Sequence, residues 1–183
     1  MRTPSRWLTA VLAALCTGCG GPAASRPPSP AVEVTPLPVS AAGGACELLG
    51  YPTIEQYLGV RFDVAVAGKA GDAATCVVQA RRAGQPDLVL SVSGVTSADA
   101  ALFGKELMPA GAEKITGLGR AAYRLPVPAA GGRGVGVEIG WLSQDTRVLT
   151  LRYTTAAQPG AEPADQLATR LFALAEAVDV SYG

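Results

Sequence analysis

Two cysteines stand two residues apart in Leu15-Cys16-Thr-Gly-Cys19-Gly-Gly21, the spacing of a redox or metal-binding pair. A redox pair of this kind opens a helix beside a strand, where the helix dipole lowers the thiolate pKa. Here an uncharged apolar run lies upstream and a Pro-rich stretch downstream, so the pair has no folded surroundings. The chain contains no histidine, which removes Ser-His and Cys-His couples and any imidazole metal site. No serine lies in G-x-S-x-G or S-x-x-K, and Ser91 and Ser93 read as solvent-side strand residues. Asp63, Asp72, Asp87 and Glu106 are scattered without calcium-loop spacing, and no metal ligand set emerges. Two acids converging in space, as a glycosidase needs, stay open. Gly117-Leu-Gly-Arg-Ala-Ala122 fits the G-x-G-x-x-A dinucleotide pattern. That pattern needs a helix after it, and Pro126 and Pro128 occupy the place, so a turn before a strand is the better reading and no cofactor is expected. Arg120, Arg124 and Arg133 gather around Pro126–Gly134, a flexible loop; they read as solvated arginines or as a basic rim for an anionic headgroup.

The neighbours of Cys19 explain it better. Arg2 and Arg6 form a basic N-terminus, and Trp7 to Cys16 is an uncharged apolar run too short to span a bilayer. Small residues then lead to Cys19, an arrangement that resembles the lipobox of bacterial lipoproteins. There the cysteine thiol takes a diacylglyceryl group before the signal is cleaved. The resemblance implies a signal peptide over 1–18 and lipid on Cys19, with Cys16 leaving in the signal; a simply secreted chain is the alternative. Residues 20–44 are Pro, Ala, Gly and Ser with few charges, which predicts an extended, mobile tether over 19–44.

The whole chain of 183 residues carries 15 basic and 15 acidic residues; removal of Arg2 and Arg6 with the signal leaves a net charge of −2. Nucleic acid is therefore not an expected partner, since a phosphate-binding face must be basic. What remains is one domain of ordinary size, 45–183.

Cys46–Gly50 reads as a helical turn and Pro52–Leu58 as a helix stopped by Gly59. Phe62–Val66 alternates, placing Phe62, Val64 and Val66 on one face of a strand. Cys76–Arg81 and Leu88–Ser93 form a hairpin about Gly84-Gln85-Pro86. Ser97 caps a helix over Ala98–Met108. A short strand at Arg120–Leu125 precedes a second hairpin, Val135–Leu142 with Arg147–Thr155. Its register follows from parity. Val137, Ile139 and Trp141 meet Leu149, Leu151 and Tyr153 on the core face if Ser143 pairs with Arg147, which sets Glu138 opposite Arg152 as an ion pair. Pro163 opens the last helix, whose stripe Ala164, Leu167, Ala168, Leu171, Leu174, Ala175 and Val178 recurs at helical spacing. The expected fold is a single α+β domain, ordered helix, three strands, helix, three strands, helix, with an antiparallel sheet and the helices packed on one face.

The lipobox, the tether, Cys46-Glu-Leu48-Leu49, the Leu58-Gly59 helix end, Cys76, Gly117-Leu-Gly-Arg-Ala-Ala122 and a terminal helix together resemble a group of actinobacterial lipoproteins, the domain-of-unknown-function family numbered 3558. The resemblance spans most of 45–183 and implies location and fold, with no established activity. An exported chain left with two cysteines meets an oxidising compartment, so Cys46 and Cys76 are expected to form a disulfide, stabilising by roughly 3.5 kcal/mol on a chain-entropy argument. The functional expectation is a membrane-anchored, non-enzymatic binding or accessory module at the outer face of the cytoplasmic membrane. Its partner is an envelope protein or an apolar ligand. Carriage of a small apolar or lipid molecule and a hydrolase built on converged carboxylates are the alternatives.

Lipidation has a direct test. Wild type is expected to enter the detergent phase with the mass of an acylated Cys19, while Cys19→Ala is released into the medium, because two acyl chains anchor stably where one does not. Equal release of both proteins would falsify the anchor.

Overall fold

The three strand-forming stretches after Gly59 and those after Pro109 are each joined by short connections, which favour antiparallel neighbours. The computed structural model describes residues 37–80, 85–95, 99–158 and 162–181; Cys19, the expected tether up to residue 36, residues 81–84 and Ser97 lie outside them. Among the described residues, β1 (Val64–Ala70), β2 (Ala73–Gln79), β3 (Asp87–Gly94), β4 (Glu113–Ile115), β5 (Ala121–Val127), β6 (Arg133–Leu142) and β7 (Arg147–Ala156) form one sheet. The order is β1-β2-β3-β7-β6-β5-β4 and every pair is antiparallel. The fold is α+β. Two meanders, β1-β2-β3 and β4-β5-β6-β7, meet where β3 pairs with β7.

One face of the sheet carries the main core. Helix α3 (Ala164–Ser181) lies over β6 and β7 and packs beside α1 (Tyr51–Leu58). Leu167, Ala168, Leu171, Leu174, Ala175 and Val178 are all buried against Val137, Ile139, Trp141, Leu149, Leu151 and Tyr153, so the predicted stripe meets the predicted strand faces. The β6–β7 register has the expected parity and is the one built on Ser143 with Arg147: Glu138 sits opposite Arg152, Trp141 opposite Leu149, and the Ser143 N–H donates to Arg147 O at 2.9 Å. Gly59 ends α1 in the left-handed region at φ 67°, a conformation glycine adopts without strain. Arg170 of α3 donates to Leu58 O at that end, and Trp141 Nε1 donates to Asp179 Oδ1 at 2.8 Å near the other end of α3.

Cys46 and Cys76 are disulfide-bonded, with Cα atoms 4.9 Å apart and no solvent exposure. The bridge fastens the 3₁₀ turn Gly44–Leu48 to β2. The packed body begins earlier than Cys46, because the turn Val39–Ala42 buries Val39 in the main core.

Four expectations need correction. The second half has four strands, the additional one being β4, whose three residues are too few to show an alternation. The expected helix Ala98–Met108 is shorter: α2 (Ala100–Leu102), capped by Asp99 Oδ1 accepting from Leu102 N at 2.7 Å, widens into a π turn over Phe103–Leu107. That segment lies on the other face of the sheet from α1 and α3. Phe103 packs with Tyr123 and Leu142, which by strand alternation point away from the main core, so the helical elements cover both faces. Lastly, Phe62 is buried but precedes β1, Val66 is 58% exposed on the open face, and Ala65 and Ala67 point to the core instead. β1 pairs through Ala67 with Cys76, so the disulfide-bearing strand sets its parity.

The second cluster depends on a missing side chain. Gly140 lies directly opposite Tyr123, and a Cβ there would sit 2.3 Å from the Tyr123 ring, which stacks on Phe103 with centroids 5.9 Å apart. Gly140→Ala is expected to displace the ring and destabilise the fold by roughly 1–3 kcal/mol, the usual cost of overpacking, read as a lower urea midpoint. No change in midpoint would show that the ring has room to move.

Candidate functional site

Helix α3 packs mainly on β6, and the core face of β5 and β4 extends to one side of it. A cleft of about 430 Å³ opens there, between the β4–β5 flank of the sheet and the first half of α3. Its volume falls in the range of sites that hold small molecules. Ile115, Ile139, Ala168 and Phe172 give it an apolar wall; Thr116, Thr169 and Arg124 give it a polar rim. Ala168 contributes because it is small: a longer side chain at this point of the stripe would occupy the volume. Lys114 also borders the cleft, but its ammonium reaches to the other face, where a Cβ on Gly104 would lie 3.4 Å from Nζ.

Arg124 closes one end. Nη2 donates to Glu113 Oε2 at 2.6 Å and Nη1 to Asp165 Oδ1 at 3.1 Å, so one guanidinium ties the edge strand β4 to the start of α3. Nε–H is buried and has no acceptor among the described residues. The hydrogen bond to Glu113 raises the Arg124 pKa above its already high value, with the charges of Glu113 and Asp165 adding to it, so the side chain stays cationic. Both carboxylates are largely exposed, and the pairs are expected to weaken with salt.

The arginines expected to share a rim are separated. Arg133 approaches Asp87 at 3.5 Å, Arg124 lies at the cleft, and Arg120 N donates to Leu142 O at 2.7 Å where β5 begins. Gln85, its amide oriented by its partners, donates to Thr155 O and accepts from Arg133 Nε, both at 3.2 Å. These contacts hold the β5–β6 connection against the start of β3. The G-x-G-x-x-A segment is a bend leading into β5, as its prolines imply. Gly119 is required by close approach, since a Cβ would fall 2.3 Å from Leu142 O, and not by any phosphate.

The scattered acids sit on different elements. Asp72 lies in the β1–β2 turn, Asp63 just before β1, Asp87 at the buried start of β3, and Glu106 in the π turn beside Lys105 at 3.6 Å. Among the described residues no three His, Cys, Asp or Glu side chains gather to hold a metal. Ser91 and Ser93 lie half-exposed on the open face of β3, as expected. Cys19 is outside the described residues. Glu138 does face Arg152, but no ion pair closes between them among the described residues; Glu138 Oε1 accepts from Tyr123 OH at 2.8 Å instead. Sequence reasoning missed the cleft. Its one signal was Phe172, a large apolar side chain beside the α3 stripe with no place in it.

No protein-family model, no curated protein and no solved structure matches this chain.

Burial raises the Tyr123 pKa well above its ordinary value, and its hydrogen bond to Glu138 and the charge of Glu138 push the same way. Burial likewise raises that of Tyr153. A phenol whose folded pKa exceeds the unfolded one contributes stability that is complete below the unfolded pKa of about 10 and is lost as pH rises above it. Urea unfolding at about pH 9 and about pH 11 is expected to show lower stability at the higher pH, by up to about 1.4 kcal/mol per pH unit per phenol. Tyr123→Phe is expected to lose less between the two than wild type. An equal loss would show that Tyr123 ionises freely in the fold.

Proposed function

We propose that this protein is a tethered binding module of the bacterial cell envelope, held by lipid on Cys19 at the outer face of the cytoplasmic membrane, and that it binds a small molecule in the α3–β4–β5 cleft without transforming it. The cleft carries this reading. It is the kind of concave, partly apolar site with a few polar groups that ligands occupy. Beneath the α3 stripe, among the described residues, helix and strands close tightly, since the stripe and the facing strand residues are buried. The lipobox-like segment and the short motifs shared with actinobacterial lipoproteins support the location.

The carboxylates argue for binding over hydrolysis. Glu113 and Asp165 do converge, but on the guanidinium of Arg124 and in an exposed setting. Neither is the dry, unpaired carboxyl that general-acid chemistry calls for. Glu138 serves Tyr123, Asp179 serves Trp141, and Asp87 faces Arg133.

Thr169 lies exposed on α3 at the rim, so Thr169→Trp fills the cleft from a position that bears no core packing. Full-length protein extracted from its own envelope is expected, by native mass spectrometry, to carry a non-covalent small-molecule adduct in wild type that Thr169→Trp lacks. Identical spectra for the two proteins, with covalent lipid alone, would remove the cleft as the binding site.

A further inference from the structure

We infer that the outer edge of β1 is a self-association surface, on which a second copy of this chain adds its own β1 antiparallel about Val66. The surface lies at the edge of the sheet away from the cleft, and the inference does not depend on the cleft being occupied. The two edges of the sheet differ. β4 has three residues, two of them charged, which makes an edge unattractive to another strand. β1 has seven residues, no proline, no bulge in its pairing with β2 and no charge until Lys69. Among the described residues, nothing outside β2 makes a hydrogen bond to the strand Val64–Ala70, so its outward backbone N–H and C=O groups are unused. The Gly44–Leu48 turn meets this strand from the core face, at Ala67. An edge of this kind is a template for another strand.

Symmetry and charge select the partner and the register. A two-fold axis normal to the sheet keeps core face beside core face only if paired residue numbers sum to an even value. An axis at Ala65 sets Lys69 against Arg61 of the second copy, like charge against like. An axis at Ala67 sets Lys69 against Ala65 of the second copy. An axis at Val66 sets Lys69 against Asp63 of the second copy, and by symmetry does so twice. Opposite charges directly across an antiparallel pair stabilise it, and like charges do the reverse. Lys69 is exposed and makes no ion pair among the described residues. The same axis continues an apolar row. Val66 stands opposite Val77 and Val77 opposite Val89, all on the open face and in neither core cluster. Across the axis the three valines become six, which takes Val66, 58% exposed in the single copy, partly out of water. A foreign extended peptide uses the same backbone groups, but the paired charges and the valine row are complementary to this chain itself. One strand pair is a small interface of the transient class, and confinement to a membrane raises the concentration that populates it.

Full-length protein in envelope membranes, carrying Val66→Cys or Val77→Cys, would be oxidised and its covalent dimer measured against wild type. Val66→Cys is expected to form a disulfide-linked dimer, because residues on the axis face one another at bridging distance. Val77→Cys, one strand farther from the axis, is expected to give no more dimer than wild type. In the Val66→Cys background, Lys69→Glu alone and Asp63→Lys alone are each expected to lower the yield roughly tenfold, since each turns two attractive pairs repulsive. Co-expressed under two epitope tags, the Lys69→Glu and Asp63→Lys chains are expected to restore it as a mixed dimer, in which both pairs are again opposite in charge. Mixing does not repair a folding defect, so restoration separates pairing from misfolding. Equal dimer from Val66→Cys and Val77→Cys, or none from either, overturns the inference. So do charge variants that leave the yield unchanged or are not restored by mixing. Cross-linking of Val66→Cys to a different envelope protein, with no self-dimer, overturns it as well.

Discussion

The pairing of β3 with β7 holds the molecule together. Each meander closes on itself through short turns, but the eight cross-strand pairs from Asp87–Thr154 to Gly94–Arg147 are what make two meanders one sheet. They join residues far apart in the chain, so their loop-closure entropy must be offset by apolar burial formed at the same time. That burial is at hand: Leu88, Leu90 and Val92 of β3 and Leu149, Leu151 and Tyr153 of β7 alternate onto the main core face, where they share one buried cluster with residues of the Gly44–Leu48 turn, α1 and α3. Loss of this seam would leave two meanders, each with one apolar face open to water.

Because side chains alternate along strands, one parity decision at the seam spreads across all seven strands. It places Trp141 and Ile139 under α3 and sends Tyr123, Leu142 and Glu138 to the opposite face. The second cluster, built on Phe103, is the answer to the large residues sent there. The cleft follows from the same geometry at longer range: a helix crosses a twisted sheet, and the flank beyond β6 is tied to α3 by the Arg124–Asp165 pair and by Phe172.

Much of this was readable in residue pattern. The α3 stripe repeats over many turns, and the β6–β7 hairpin has apolar residues on both arms, so only registers of one parity satisfy both and the short loop selects among them. The expectation of an oxidising compartment pointed to Cys46 and Cys76, whose bond is present. What escaped had weak local signals. β4 has three residues, two of them charged. In β1 the valines alternate as a core strand should, yet the alanines take the core face because β2 is held in place by Cys76; tertiary pairing overrides a short pattern. Phe103 fell inside an expected helix, Ala98–Met108, and its partners Tyr123 and Leu142 come from strands distant in sequence. Nor is a cleft written in any periodicity, since it is the space left between elements that each obey their own.

The disulfide has a mechanical consequence. A pull on the N-terminal end of the described chain first meets only the packing of Val39 and two 3₁₀ turns, contacts that give way one at a time. At Cys46 the load leaves the backbone and crosses a covalent bond into Cys76, in the middle of β2. β2 is flanked by β1 on one side and β3 on the other, so the force arrives at an interior strand and is shared by two ladders of hydrogen bonds. The chain can pay out as far as residue 45 and then stops, because beyond that point the load is carried by β2 and the two strands that flank it.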